Sequence, residues 1–202
     1  MSKPLDRQHD WESRYQSGST GWDRGQISPA LAHWLEAGAL QPCRILVPGC
    51  GHGHEVIALA RAGFEVTAVD IAPSAVQALK EQLQQVEVGA HVIQTDLLHW
   101  DPGEPFDAVY EQTFLCALSP EDWQPYAVWL DHWLKQGGRL FALFMQTGCE
   151  GGPPYHCDLD AMRRLFPSSR WAWSQGVPLH VPHPSGFTEY GFVLEHRTGP
   201  QG

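Results

Sequence analysis

Residues 45–55 read Ile-Leu-Val-Pro-Gly-Cys-Gly-His-Gly-His-Glu, an apolar run that ends in glycines at 49, 51 and 53 and passes into a helical pattern. Alternate glycines let a chain turn sharply at a strand end and bring its backbone against a ligand with no Cβ in the way. The spacing narrows the ligand. A dinucleotide site reads GxGxxG, whereas here GxGxG is followed by His54, Glu55 and Val56, bulky where a helix–strand contact wants small residues. No GK[ST] follows, as a P-loop requires. A pyrophosphate is disfavoured and a nucleoside favoured.

Asp70 closes the next apolar run, Val66-Thr-Ala-Val-Asp70, 19 residues after Gly51. That is the carboxyl edge where open α/β sheets bind ligands, and a carboxylate there can accept from both ribose hydroxyls. Asp96 follows a third run in Gln94-Thr-Asp-Leu97, placed to accept from an exocyclic adenine amine while Leu97 or Ile71 packs on the base. Taken singly, the glycines serve equally as a tight turn and the two acids equally as helix caps. Three strand ends in sequence order favour an adenosine site.

Outward from this core the chain alternates. Strands are expected at Arg44–Val47, Glu65–Val69, His91–Gln94, Phe106–Tyr110 and Arg139–Phe144, and helices near Pro29–Ala39, His54–Ala62, Ser74–Gln85 and Trp123–Leu134. Such alternation predicts a parallel sheet under crossover helices. Ser28 is placed to cap the helix that opens at Pro29. Beyond Asp158, a helix to Phe166 is followed by segments near Ala172–Ser174 and Tyr190–Arg197 that can close the sheet antiparallel. The first 28 residues are polar with aromatic islands, and Trp11 and Tyr15, four apart, share one face of a short helix.

The 202 residues suit one domain, 1–202, and 43% hydrophobic against 18% charged residues gives enough apolar material for a core. A formal net charge of −10 opposes a nonspecific grip on nucleic acid or anionic lipid, so neither is an expected partner. Five cysteines, an odd number with no CxxC pair, suggest reduced thiols and a cytoplasmic setting. No run approaches the roughly 18 apolar residues of a membrane helix, and the start lacks the apolar core of a secretion signal.

At these residues the sequence resembles class I S-adenosylmethionine-dependent methyltransferases. Leu134-Lys-Gln-Gly-Gly138 looks like that family's turn into its fifth strand, and Phe106-Asp-Ala-Val-Tyr-Glu111 like its fourth strand. Five blocks narrow the resemblance: Trp11-Glu-Ser-Arg-Tyr15 with Gly21-Trp-Asp-Arg-Gly25, Leu46-Val-Pro-Gly-Cys-Gly-His-Gly53, Thr113-Phe-Leu-Cys-Ala117 and Gly151-Gly-Pro-Pro-Tyr155 are similar to the thiopurine S-methyltransferase superfamily, best to its thiol and halide branch. The resemblance implies a Rossmann-like fold: a mostly parallel seven-stranded sheet, helices on both faces and an antiparallel C-terminal strand. It implies S-adenosylmethionine as cofactor, with residues 1–28 as a lid over it that carries Trp11, Tyr15 and Trp22. The sequence departs from the branch at Tyr15, where a tryptophan is frequent, and at Glu111-Gln112-Thr-Phe114, where Asp-Tyr-Thr-Phe is frequent.

Methyl transfer from a sulfonium is an in-line displacement, and orientation alone contributes about 7–11 kcal/mol. A soft acceptor, a thiol, thiopurine, halide or thiocyanate, asks for no general base, and no paired-carboxylate or Ser/His/Asp arrangement stands out. On this reading Gly49, Gly51, Glu111 and Gln112 hold the methionine part, and Asp70, Ile71, Asp96 and Leu97 hold the nucleoside. Trp11, Tyr15, Trp22 and Phe114 wall the methyl group with faces that favour a cation, with Tyr15, Phe114 and Tyr155 towards the acceptor. No residue is assigned a certain catalytic role and no metal is expected: His180 and His183 lie three apart in a Pro/His-rich stretch read as a loop. Cys50 and Cys116 read as inert hydrophobes. A nicotinamide oxidoreductase and a non-catalytic cofactor-binding module are the alternative readings, and a monomer is the expected state.

Overall fold

The computed structural model describes residues 4–197, which fall into two compact units divided between Trp100 and Asp101. Residues 1–3 of the expected lid and 198–202 lie outside the described residues.

In the first unit, helix α1 (Pro4–Gln16) and helix α2 (Pro29–Glu36) precede β1 (Arg44–Pro48), α3 (His54–Arg61), β2 (Glu65–Asp70), α4 (Pro73–Gln85) and β3 (His91–Gln94). Central β2 runs parallel to both neighbours, pairing Pro48 with Val69 and Asp70 with Gln94. The three carboxyl ends therefore share one edge. Ile45, Leu46, Val47, Val66, Ala68 and Val69 are all buried, the near-continuous apolar run of strands covered on both faces. Helix α4 sets Ala75, Val76, Leu79 and Leu83 inward at spacings of three and four. The start of α2 follows from Ser28, whose hydroxyl accepts from Ala30 N, and from Pro29, which lacks the N–H a first turn would leave unpaired.

The second unit contains β4 (Phe106–Gln112), α5 (Trp123–Trp133), β5 (Leu134–Gln146), α6 (Leu159–Leu165), β6 (Trp171–Trp173), β7 (Leu179–Pro182) and β8 (Thr188–His196). Strand β5 runs parallel to β4, and β8 lies antiparallel beside β5. The far edge of β8 carries β7 at its start and β6 at its end, both antiparallel. Asp158 caps α6 by accepting from Ala161 N. Phe144, Phe166, Trp171, Trp173 and Phe192 form an aromatic core with centroid spacings of 5.1–6.1 Å, and Trp173 satisfies its indole N–H on Phe166 O.

Two elements differ from the sequence reading. The Pro/His-rich stretch is not all loop: Leu179 to Pro182 is a strand, which raises the strands among the described residues to eight where seven were expected. Pro182 disguises it, because proline is tolerated only where its missing N–H meets no ladder partner. Strand β5 begins at Leu134, not Arg139. The Gly137-Gly138 pair that reads as a turn is a bulge, with the register jumping from Phe106–Leu134 to Ala108–Arg139. Gly137 takes φ 74°, and a Cβ at Gly138 would lie 2.8 Å from Lys135 O.

Candidate functional site

The glycine turn after β1 holds Gly49, Gly51 and Gly53 at φ 58°, 51° and 75°. Any residue with a Cβ pays about 1–2 kcal/mol for that left-handed conformation, so the alternation in sequence is a backbone requirement at each position. A Cβ on Gly51 would also lie 3.1 Å from the Tyr15 hydroxyl, and one on Gly53 would lie 2.2 Å from Leu79 Cδ1. The turn is tied to β2 by Cys50 N donating to Val69 O at 3.0 Å.

Asp70 is locked beneath this turn. Its Oδ2 accepts from Gly51 N at 2.9 Å and its Oδ1 from Ala72 N at 2.9 Å. Burial pushes its carboxyl up, and the amides of Ala72, Gly51 and Ile71 oppose that rise. Each oxygen keeps a second lone pair, so the side chain both shapes the turn and can accept from a ligand hydroxyl. Ile71, which follows Asp70, is half-buried, and Leu97 is buried in a short helical turn that Asp96 caps through Leu98 N at 3.1 Å.

Helix α1 straps this edge. Arg7, Trp11 and Tyr15 recur every four residues, and the Arg7 guanidinium donates to Asp96 Oδ2 at 2.5 Å. His99 Nδ1 lies 3.1 Å from the same oxygen. The carboxylate that the sequence offers to an adenine amine is thus engaged by a guanidinium. Glu12 accepts from the Ser74 amide at 2.9 Å and from its hydroxyl, tying α1 to the start of α4. Trp22 sets its ring edge-on to Trp11 at 5.5 Å and to Tyr15 at 5.7 Å. Burial, then the charge of Asp70, push the Tyr15 phenol far up, so it stays a neutral donor. Next to Trp22, Asp23 bridges two turn histidines: Oδ1 lies 3.0 Å from His54 Nε2 and Oδ2 3.3 Å from His52 Nδ1. Trp11, Tyr15, Trp22, Gly51 and Asp70 therefore form one contiguous group beside Gly49.

In the second unit, the end of β4 carries Glu111, fully buried, whose Oε1 accepts from Leu115 N at 2.7 Å and Phe114 N at 3.1 Å. Burial pushes its carboxyl up to about 8, with the nearby Glu189 charge adding to the rise and the two amides opposing it. It is protonated at neutral pH. Thr113 takes φ 59°, a left-handed backbone that is an outlier for a β-branched residue. Such strain collects at functional turns. Phe114 packs its ring 5.1 Å from Tyr126, and Gln112 Oε1 accepts from the Tyr110 hydroxyl at 2.8 Å. Tyr155 N donates to Cys116 O at 2.7 Å, while its ring lies so close over Gly152 that a Cβ there would fall 2.6 Å from Cγ. His156 Nδ1 accepts from Thr147 N at 3.1 Å and so clasps the loop. Burial raises the thiols of Cys50, Cys116 and Cys157.

His180 lies with its ring 4.4 Å from Tyr190, and His183 Nδ1 meets Ser185 Oγ at 2.6 Å. Among the described residues no group of three or more His, Cys, Asp or Glu has the placement to hold a metal ion. Sequence reasoning missed Arg7, Glu12, Asp23 and His52. Arg7 had a signal, since it precedes Trp11 by the same four residues that separate Trp11 from Tyr15; the other three had none, because charged residues at such places usually face solvent.

Residues 6–180 match the thiopurine S-methyltransferase (TPMT) family. The chain belongs to that family. Among its relatives, a probable thiol methyltransferase 2 of Arabidopsis thaliana is 34% identical over 159 residues, 77% of this chain and 70% of the relative. A thiopurine S-methyltransferase of Azotobacter vinelandii is 30% identical over 174 residues, covering 77% and 80%. A solved magnesium protoporphyrin IX methyltransferase of Synechocystis PCC 6803, with bound S-adenosylhomocysteine, superposes with TM-score 0.76 at 15% identity over 97% of this chain and 100% of that one. That likeness establishes the class I α/β fold. As a member of the thiopurine S-methyltransferase family the chain is an S-adenosylmethionine-dependent methyltransferase.

Proposed function

We propose that this methyltransferase acts on a small, soft sulfur or halide acceptor and holds its adenosyl cofactor on the glycine turn. The observation that carries the reading is the left-handed Gly49–Gly51–Gly53 turn with Asp70 hydrogen-bonded beneath it and three aromatic rings of the N-terminal segment packed together beside it. The residues fit the cofactor chemically. Lone pairs of Asp70 suit ribose hydroxyls, bare glycine backbone suits close approach, and indole and phenol faces suit a sulfonium. When bound, S-adenosylmethionine supplies an electrophilic methyl group.

The chain's own part is to bind, orient and exclude water, since alignment of the reactants accounts for much of the barrier lowering. Asp70 fixes the turn, and Trp11, Tyr15 and Trp22 shield the reacting centre. Glu111 and Gln112 keep their assignment to the methionyl part and Phe114 and Tyr155 theirs to the acceptor, all as parts of this proposal; so do Asp96 and Leu97 towards adenine, with Arg7 as the competitor that adenine must share Asp96 with. Relatives named for thiol, thiocyanate and thiopurine substrates support this acceptor class. No helix among the described residues is long and apolar enough to cross a membrane. A cytoplasmic enzyme, working as a monomer on small molecules, completes the reading.

The test is an acceptor panel, hydrosulfide, ethanethiol, thiocyanate, iodide and a thiopurine, incubated with S-adenosylmethionine and read by product mass. A methylated product from at least one soft acceptor is expected. Absence of any methylated product, with S-adenosylmethionine leaving the melting temperature unmoved, overturns the proposal.

A further inference from the structure

Soft anions such as thiocyanate arrive with a lone pair free, whereas a thiol arrives protonated: a cysteine thiol titrates at about 8.5, and simple alkanethiols higher still. A family member that methylates thiols at neutral pH gains from a group that removes that proton, and the described glycine turn carries one. His52 sits between Gly51 and Gly53, and its Nδ1 faces Asp23 Oδ2 at 3.3 Å. Its ring stands edge-on to Tyr15, centroids 5.5 Å apart, and the Tyr15 hydroxyl lies against Gly51, the residue before His52. The side chain is 29% exposed, so a proton taken there has a way out to water.

We propose that His52, oriented by Asp23, takes the proton from thiol acceptors. The proposal rests on the proposed function above, in which Tyr15, the ring beside His52, shields the reacting centre. Asp23 Oδ2, 3.3 Å from Nδ1, favours a proton on that nitrogen by its charge, which leaves Nε2 with its lone pair, the tautomer that suits base catalysis. The acceptor S–H proton passes to Nε2, and the sulfur pair forms the new S–CH3 bond. The old C–S+ bond breaks with its electron pair returning to the departing sulfur, and the imidazolium then loses its proton to solvent. His54 is the poorer candidate, because its Nε2 is the atom held by Asp23 and its backbone begins α3. The titratable groups facing His52 are Asp23 from the N-terminal segment, Tyr15 from α1, His54 from α3 and Asp70 from β2.

His52 is the catalytic residue of this proposal and Asp23 a positioning residue. The experiment compares ethanethiol with thiocyanate, which has no proton to lose, for the wild type, His52→Gln and Asp23→Asn at pH 7. The expected result is that the ratio of kcat/KM for ethanethiol to that for thiocyanate falls about a hundredfold or more in His52→Gln, the range of a lost general base. In Asp23→Asn it falls about tenfold. A second reading, independent of turnover, is the nitrogen NMR shift of the His52 ring: Nδ1–H in the wild type, and loss of that preference in Asp23→Asn. Equal losses for both acceptors, an unchanged ratio, or an Nε2–H ring in the wild type overturns the assignment. If the wild type methylates neither acceptor, the acceptor class proposed above falls as well, and the proton role with it.

Discussion

Asp70 accepts from Gly51 N and Ala72 N, which fixes the turn; in the proposed function the same carboxylate also accepts from the cofactor. Replacing Asp70 with Asn retains one acceptor and sets an amide group opposite a backbone N–H, so titration with S-adenosylhomocysteine is expected to give weaker binding together with a lower Tm. Glu111 gives a pH signature. Its folded value of about 8 stands above an unfolded value of about 4.3. The folded chain therefore holds an extra proton between those values, and this group's effect is to lower stability progressively as pH rises from about 4.3 to 8. Glu189, Tyr126, Cys116 and Cys157 share the enclosure, and a charge on Glu111 would work against each. Glu111→Gln keeps an acceptor for Phe114 N and Leu115 N, and thermal melts at pH 6 and 9 are expected to show a smaller drop in Tm for the variant than for the wild type. A drop at least as large in the variant contradicts this.

The elements were legible where a periodicity had nothing to compete with. The stripes of α2 and α4 and the apolar runs of β1 and β2 read directly, because burial on one face or both leaves a clear pattern. β7 was hidden by Pro182, and the early start of β5 by a glycine pair whose role as a bulge depends on the register with β4. The glycine turn and Asp70 could be read in sequence because each needs a particular backbone or charge at a strand end. Glu12 and Asp23 could not, since their partners Ser74 and His52 lie 62 and 29 residues away. Helix α1 is held at the start of α4 and at the turn after β3, so Glu12→Ala, which removes both bonds to Ser74, is expected to cost about 1–2 kcal/mol in denaturant unfolding and to speed proteolysis within 17–27. An unchanged cleavage rate would show that α1 does not depend on that tie. Gly53→Ala tests the packing of the turn against α4: a left-handed backbone and Leu79 at 2.2 Å predict a loss of about 1–3 kcal/mol.

At the scale of the molecule the formal charge is −10, and an anionic acceptor approaches against it. Raising potassium acetate from 20 to 200 mM is expected to increase kcat/KM for thiocyanate by about two- to fivefold, as screening weakens that repulsion, while a neutral thiol shows little change. A fall for thiocyanate would indicate a local positive field at the mouth of the site. The central claim is that the glycine turn and Asp70 hold the adenosyl group. Isothermal titration of S-adenosylhomocysteine into the wild type and Asp70→Ala addresses it most directly. The account predicts measurable binding to the wild type and a loss of roughly 1–3 kcal/mol in the variant, about five- to 150-fold in Kd. Equal affinity in a folded Asp70→Ala protein would contradict it.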